Sequence, residues 1–270
     1  MKLGIGSYTY TWAVGIPGHA PVRPITAFDL LEEARRLEVR LIQICDNLPF
    51  AQLPESDLDA FETALHKSRI ALELGTRGLD ESNLLRHLDL ALRFHSPFLR
   101  LVIDSPGDEP SPEEAVRRLQ AVLPAFHRAG VKIAIENHDR FPSAVLASMI
   151  QELGAGRAGI CLDTVNSFGA AEGPDLVLSH LAPFTLCVHI KDFTIRRPEH
   201  QLGFLVEGCA AGSGMLDIPG LLIRTSASPH PWNVILETWV TPMQTLEETI
   251  ALERAWAEEG VRFLRTLIPS

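Results

Sequence analysis

None of the four cysteines, Cys45, Cys161, Cys187 and Cys209, forms a CxxC pair. That spacing excludes a zinc knuckle or a dithiol redox motif, and the cysteines inside apolar runs read as buried thiols rather than disulfides. There is no run of Lys or Arg, and 24 basic against 34 acidic residues give a formal net charge of −10. A protein built to grip nucleic acid or an anionic membrane needs a basic face, so neither partner is expected. No apolar stretch approaches the roughly 20 residues that span a bilayer. The opening MKLGIGSYTYTW has one basic residue and then Gly, Ser and Thr, unlike a secretory leader, and the expected compartment is the cytoplasm.

What is present is a chain of 270 residues, 46% hydrophobic, with no low-complexity tract. That suffices for one full core and is close to the roughly 250 residues of a (β/α)₈ barrel, so a single domain over 1–270 acting on a small molecule is expected.

Eight short apolar runs alternate with amphipathic segments: 2–8, 39–46, 70–76, 98–104, 131–137, 158–164, 185–192 and 232–239. Alternation of this kind is the pattern of repeated βα units around a parallel sheet. The helices carry their own start and stop chemistry. Thr26 and Asp29 form a capping box, Ser111 precedes Pro112 and two acids, and Gly130 ends the segment whose Val116, Leu119, Val122, Leu123 and Phe126 face inward. Ser143 opens the next helix, and 245–267 forms the last. An open dinucleotide-binding sheet would want GxGxxG after its first strand, where this chain has SYTYTWAVG, so the expected fold is an α/β (β/α)₈ TIM barrel. Loops at 12–25 and 193–217 are long enough to cover its catalytic face, and Gly203, Gly208, Gly212 and Gly214 imply turns or close backbone approach in the second.

Strands buried on both faces should be apolar throughout, so acids at their ends need a reason. Glu136, Asp163, His189 and Glu237 end or nearly end the fifth to eighth runs. Adjacent strands lie about 4.8 Å apart, so four consecutive ends can converge above the barrel. Three carboxylates at one point repel unless a cation joins them. With one imidazole they suit manganese first, then magnesium or cobalt, with zinc a further possibility. Such an ion polarises a substrate carbonyl, and Glu136 and Glu237 on either side provide an acid/base pair for chemistry through an enediolate.

These residues carry a resemblance. AIENHD (134–139), CLDTVN (161–166), HIKD (189–192), GSGMLD (212–217) and ILETW (235–239) resemble, in order and over nearly the whole chain, the xylose isomerase-like TIM-barrel superfamily. Its ketose 3-epimerase branch implies metal ligands at Glu136, Asp163, His189 and Glu237 and an acid/base pair at Glu136 and Glu237. Asn166 stands where that branch has His, implying different substrate contacts. The apurinic endonuclease branch needs more strand-end histidines than this acidic chain has. GSYTYTWAVG, QICDNLP and ELGTRG resemble a branch that contains 3-oxo-isoapionate decarboxylases. The leading expectation is therefore a metal-dependent isomerase or epimerase of a small ketose or keto-sugar acid. A decarboxylase or inosose-type dehydratase is the alternative, and a sugar binder or nuclease-like protein is remote. A homo-oligomer is in keeping with the resemblance.

Around the ligands, His138, Asn137, Asn166 and Lys191 are candidate substrate contacts. Asn137 and His138 can otherwise orient Glu136, and Lys191 can clamp a substrate anion or pair with an acid such as Glu136. Arg100, mid-strand, is expected to pair with Glu73 inside the barrel. Gln43, Asp46 and Asn47 contact a polyol or shape a turn, Arg196 and Arg197 are solvated, and Trp12 and Phe204 pack in loops or wall the pocket.

Overall fold

The computed structural model describes residues 1–268. Eight parallel strands close into the expected barrel: β1 (Leu3–Gly6), β2 (Leu41–Ile44), β3 (Ala71–Arg77), β4 (Phe98–Val102), β5 (Lys132–Glu136), β6 (Ala158–Asp163), β7 (Thr185–Ile190) and β10 (Asn233–Leu236). Between the last two lies an antiparallel hairpin, β8 (Asp192–Arg196) with β9 (Leu205–Cys209). Around the barrel run α2 (Ala27–Arg36), α3 (Glu55–Ser68), α4 (Glu81–Arg93), α5 (Pro112–Ala129), α6 (Ser143–Leu153), α7 (Pro174–Leu181), α8 (Ile218–Thr225) and α9 (Leu246–Leu264), after a short turn α1 (Thr11–Val14).

Local chemistry explains most of these boundaries. Thr26 Oγ1 accepts the Asp29 N–H at 3.2 Å while the Asp29 carboxylate accepts the Thr26 N–H at 2.9 Å, closing the expected capping box. Ser111 caps α5, and Gly130 ends it in the left-handed conformation at φ 70°. The five apolar residues assigned to the inner face of α5 are all buried. Ser143 opens α6 as expected, with Pro142 at the cap position before it, and its hydroxyl meets His180 Nδ1 at 2.8 Å. One expectation needs correction: helix α9 ends at Leu264, short of 267.

The segment 193–217 is not a plain loop, because β8 and β9 form a ribbon within it. Gly203 and Gly212 adopt positive φ, as turns there require. Gly208 lies so close to the Trp239 carbonyl oxygen that a Cβ would sit 2.5 Å from it. Among the described residues no helix is long and apolar enough to cross a membrane.

Register sets up the site. A bulge between Ile160 and Cys161 shifts the β6–β7 ladder by one residue, so that Asp163 pairs with His189 rather than with Val188. Leu41, Phe98, Ala134, Cys161, Leu186, Cys187 and Ile235 form one buried cluster. Gln43, Glu73, Arg100 and His189 are also buried, and the carboxylates stand at the strand ends.

Candidate metal centre

The four expected ligands come together. Around His189 Nδ1 stand Glu237 Oε1 at 3.0 Å, Glu136 Oε2 at 3.2 Å and Asp163 Oδ2 at 4.0 Å. Donor atoms of Glu136, Asp163 and His189 all lie within 4.8 Å of one another. Asp163 Oδ2, His189 Nδ1 and Glu237 Oε1 are buried and make no aligned hydrogen bond. Buried polar atoms are normally paired, so three orphans at one point mark the place of an absent partner. An oxygen-rich set with one imidazole fits a divalent cation.

Two protein cations stand among these acids. Lys191 Nζ is 2.7 Å from Asp163 Oδ2 and 2.9 Å from Glu237 Oε2. The first contact is close but out of line for a hydrogen bond, so Asp163 Oδ2 still counts among the orphans. Lys191 thus joins neighbouring acids as one expectation held, but not Glu136. Arg100 departs further from expectation. Its Nε lies 2.5 Å from Glu136 Oε2 and its Nη1 2.8 Å from Asp46 Oδ1, and it does not pair with Glu73. The reason is steric. Arg100 faces Ala134 on one side and Gly75 on the other, and a Cβ on Gly75 would come within 3.0 Å of Arg100 Cδ. The side chain therefore runs up toward the strand ends.

Glu73 is held lower in the barrel, where it accepts from Asn233 Nδ2 at 2.8 Å and Gln43 Nε2 at 3.1 Å. His189 Nε2, on the far side of the ring from the carboxylates, lies 2.7 Å from Gln43 Oε1 and 3.2 Å from Cys161 Sγ. Gln43 is therefore a barrel-core group rather than a polyol contact. Asp46 also receives Arg77 Nε and Tyr8 Oη, each at 3.0 Å. Beside Asp46 and Arg77 the rim opens into a cavity of about 420 Å³, lined further by Asn83, Arg86 and His87.

Of the candidate substrate contacts, Asn166 and Lys191 reach the centre. Asn166 Nδ2 donates to Glu136 Oε1 at 2.8 Å, and Lys191 Nζ donates to Asn166 Oδ1 at 3.3 Å. Asn137 braces Asp163 rather than Glu136. Its Oδ1 accepts the Asp163 N–H at 2.7 Å, and its Nδ2 donates to the Asp163 carbonyl and to Ser167 Oγ, each at 2.9 Å. His138 stands at the rim with Nδ1 3.1 Å from Asp139. Trp12 donates its indole N–H to the Val240 carbonyl, tying the β1 loop to the end of the barrel. Phe204 is exposed under Arg197, and Arg196 pairs with Glu207 at the surface.

Burial acts on every group here, and neighbouring charges decide the outcome. Burial alone would raise Glu136, but Arg100 and His189 hold it well below the usual carboxylate range. Glu237 is likewise brought down to about 2 by His189 and Lys191 against the effect of burial. Asp163 goes the other way, raised by burial with Glu136 and Glu237 alongside, against the pull of Lys191.

Arg100 and Gln43 are the site residues whose roles the sequence did not disclose. An arginine or glutamine inside a buried parallel strand was the available signal, but their partners depend on register.

Comparison with known proteins bears on the fold and the family. The chain is 30% identical over 269 residues to a 3-oxo-isoapionate decarboxylase of Pectobacterium atrosepticum, covering 100% of this chain and 97% of that protein. Its fold matches a D-psicose 3-epimerase solved in the presence of D-fructose, with a TM-score of 0.74 at 14% identity over 100% of both chains. It also matches a xylose isomerase-like protein of Mycobacterium smegmatis in complex with magnesium, with a TM-score of 0.70 at 14% identity over 96% of each. At those identities the two structures speak for the fold alone. The model of the xylose isomerase-like TIM barrel matches residues 31–267, and the chain belongs to that family.

Proposed function

We propose that this protein is a divalent-metal-dependent decarboxylase of a small 3-oxo sugar acid. The observation that carries the proposal is the state of Glu136, whose Oε2 is taken by Arg100 and whose Oε1 is taken by Asn166. An epimerase needs two mobile bases, one to remove a proton and one to return it. A carboxylate fastened at both oxygens and held well below its usual pKa is a poor base but a sound ligand. Decarboxylation needs no such base.

Charge supports the same reading. With His189 neutral as a metal ligand, Glu136, Asp163 and Glu237 are answered by Arg100 and Lys191, leaving one negative charge. A divalent cation turns that into one positive charge, which suits an anionic substrate such as a sugar acid. The relative named as a 3-oxo-isoapionate decarboxylase acts on a compound of this class.

Glu136, Asp163, His189 and Glu237 would hold the ion, with manganese the first choice for this donor set. When bound, the ion supplies Lewis-acid polarisation of the keto oxygen. Lys191 receives the substrate carboxylate. The electron pair of the carbon–carboxylate bond moves into the adjacent carbonyl, carbon dioxide leaves, and an enediolate remains. Lys191 gives its proton to the carbon that lost carbon dioxide, and the neutral amine left behind recovers a proton from solvent. Asn166 holds Glu136 and Lys191 in register through its two amide ends.

The test is ¹³C NMR in D₂O with Mn²⁺ and a carboxyl-labelled 3-oxo-isoapionate. Labelled bicarbonate, with one deuterium on the product carbon, is expected. Solvent deuterium entering free ketoses without bicarbonate would instead identify an isomerase or epimerase.

A further inference from the structure

The far side of the His189 ring is as ordered as the side facing the carboxylates. Nε2 has two neighbours, Gln43 Oε1 at 2.7 Å and Cys161 Sγ at 3.2 Å, and they favour opposite tautomers. An amide oxygen only accepts, so contact with Gln43 puts a proton on Nε2 and leaves Nδ1 as the nitrogen that can give a lone pair to a cation. A thiol donating to Nε2 would put the proton on Nδ1, facing the ligands. The amide oxygen is the stronger partner, but an amide can turn over and present its NH₂ to the ring instead.

Glu73 prevents that. Its Oε2 accepts from Gln43 Nε2 at 3.1 Å and its Oε1 accepts from Asn233 Nδ2 at 2.8 Å. Cys45 Sγ adds a donor to Gln43 Oε1 at 3.3 Å. Gln43 and Glu73 are direct partners across the β2–β3 ladder, and Gln43, Glu73 and His189 are at most 1% exposed. With its NH₂ group given to Glu73 Oε2, the amide has only its oxygen left for the imidazole.

We propose that Gln43, oriented by Glu73, forms with it a positioning pair that fixes a proton on His189 Nε2, so that Nδ1 is the nitrogen that offers its lone pair to the cation. The effect on metal affinity rests on the metal reading above, whereas the Nε2 proton does not.

The experiment uses the full chain with ¹⁵N-labelled histidine, metal-free and with Mg²⁺, alongside Mn²⁺ titrations. His189 Nε2 is expected to carry an exchange-protected proton in the metal-free protein and to keep it with Mg²⁺. Gln43→Leu is expected to lose that protection and weaken Mn²⁺ binding about 10–100-fold, the usual cost of removing a group that orients a ligand. The double exchange Gln43→Glu with Glu73→Gln keeps size and restores an acceptor at position 43, and should return both signals close to wild type. Cys161→Ala should leave both unchanged. An unprotonated Nε2 in the wild type, or Gln43→Leu binding Mn²⁺ as tightly as wild type, would overturn the proposal. A protonated, protected Nε2 in a protein that takes up no Mn²⁺ would sink the metal reading and leave the assignment of the Nε2 proton standing.

Discussion

Strands β5, β6, β7 and β10 bring Glu136, Asp163, His189 and Glu237 to their C-terminal ends, whereas β2, β3 and β4 carry Gln43, Glu73 and Arg100 within their spans. The first set leaves atoms without a hydrogen-bond partner, Asp163 Oδ2, His189 Nδ1 and Glu237 Oε1. The second set is satisfied within the barrel by neighbours across the ladder and by the first set itself. On the proposed reading, one half of the barrel presents donors to a ligand, and the other half sets the charge and direction of those donors.

Removing a donor should break the contrast most severely. Asp163→Ala is expected to lower turnover about 10³-fold and to abolish stabilisation by Mn²⁺, read by thermal melts with and without the ion. Removing the counter-charge from the other half should act on the fold instead. Arg100→Met leaves Glu136 and Asp46 without their shared partner, and breaking a buried pair of this kind costs about 3–5 kcal/mol, measurable by urea unfolding. Lys191→Met should separate the two roles. Turnover of a 3-oxo sugar acid should fall about 10²-fold, while Mn²⁺ binds at least as tightly because a competing cation has gone. Unchanged turnover would remove Lys191 from the mechanism.

The smallest effect concerns the seam where the halves meet. Glu253 in α9 is fully buried and accepts the backbone N–H groups of Trp12 at 2.9 Å and Ala13 at 3.1 Å. Burial pushes its carboxyl up to about 7 from an ordinary 4.5, despite those donors. The folded chain thus holds this proton more tightly than the unfolded chain. Its contribution to stability is full below pH 4.5 and is lost as pH rises through about 7. Glu253→Gln should flatten the fall in Tm between about pH 5 and about pH 8 by several degrees.

Legibility followed the same division. An acid at the end of a strand buried on both faces is conspicuous in the sequence, which is why Glu136, Asp163 and Glu237 could be read along with His189. Arg100 was conspicuous too, but its partner was not. Glu73 was the expected partner, and the positions of Gly75 and Ala134 sent the guanidinium upward to Glu136 instead. Asn137 looked like support for Glu136 because it is next in sequence, yet its side chain crosses to Asp163 on the adjacent strand. The β8–β9 ribbon was hidden because its exposed Leu205 and Val206 follow no buried-strand pattern.

The sequence by itself determined the barrel and the strand-end residues proposed as its ligands, since eight apolar runs between capped helices have few other ways to bury themselves and strand ends must carry whatever polar chemistry there is. Only the tertiary structure decided how those ligands are charged and oriented. A one-residue bulge sets Asp163 beside His189, a missing Cβ lets Arg100 reach Glu136, and a cross-strand carboxylate settles which end of Gln43 meets the imidazole. Each depends on which residues face one another across a ladder, and register is a property of the folded sheet.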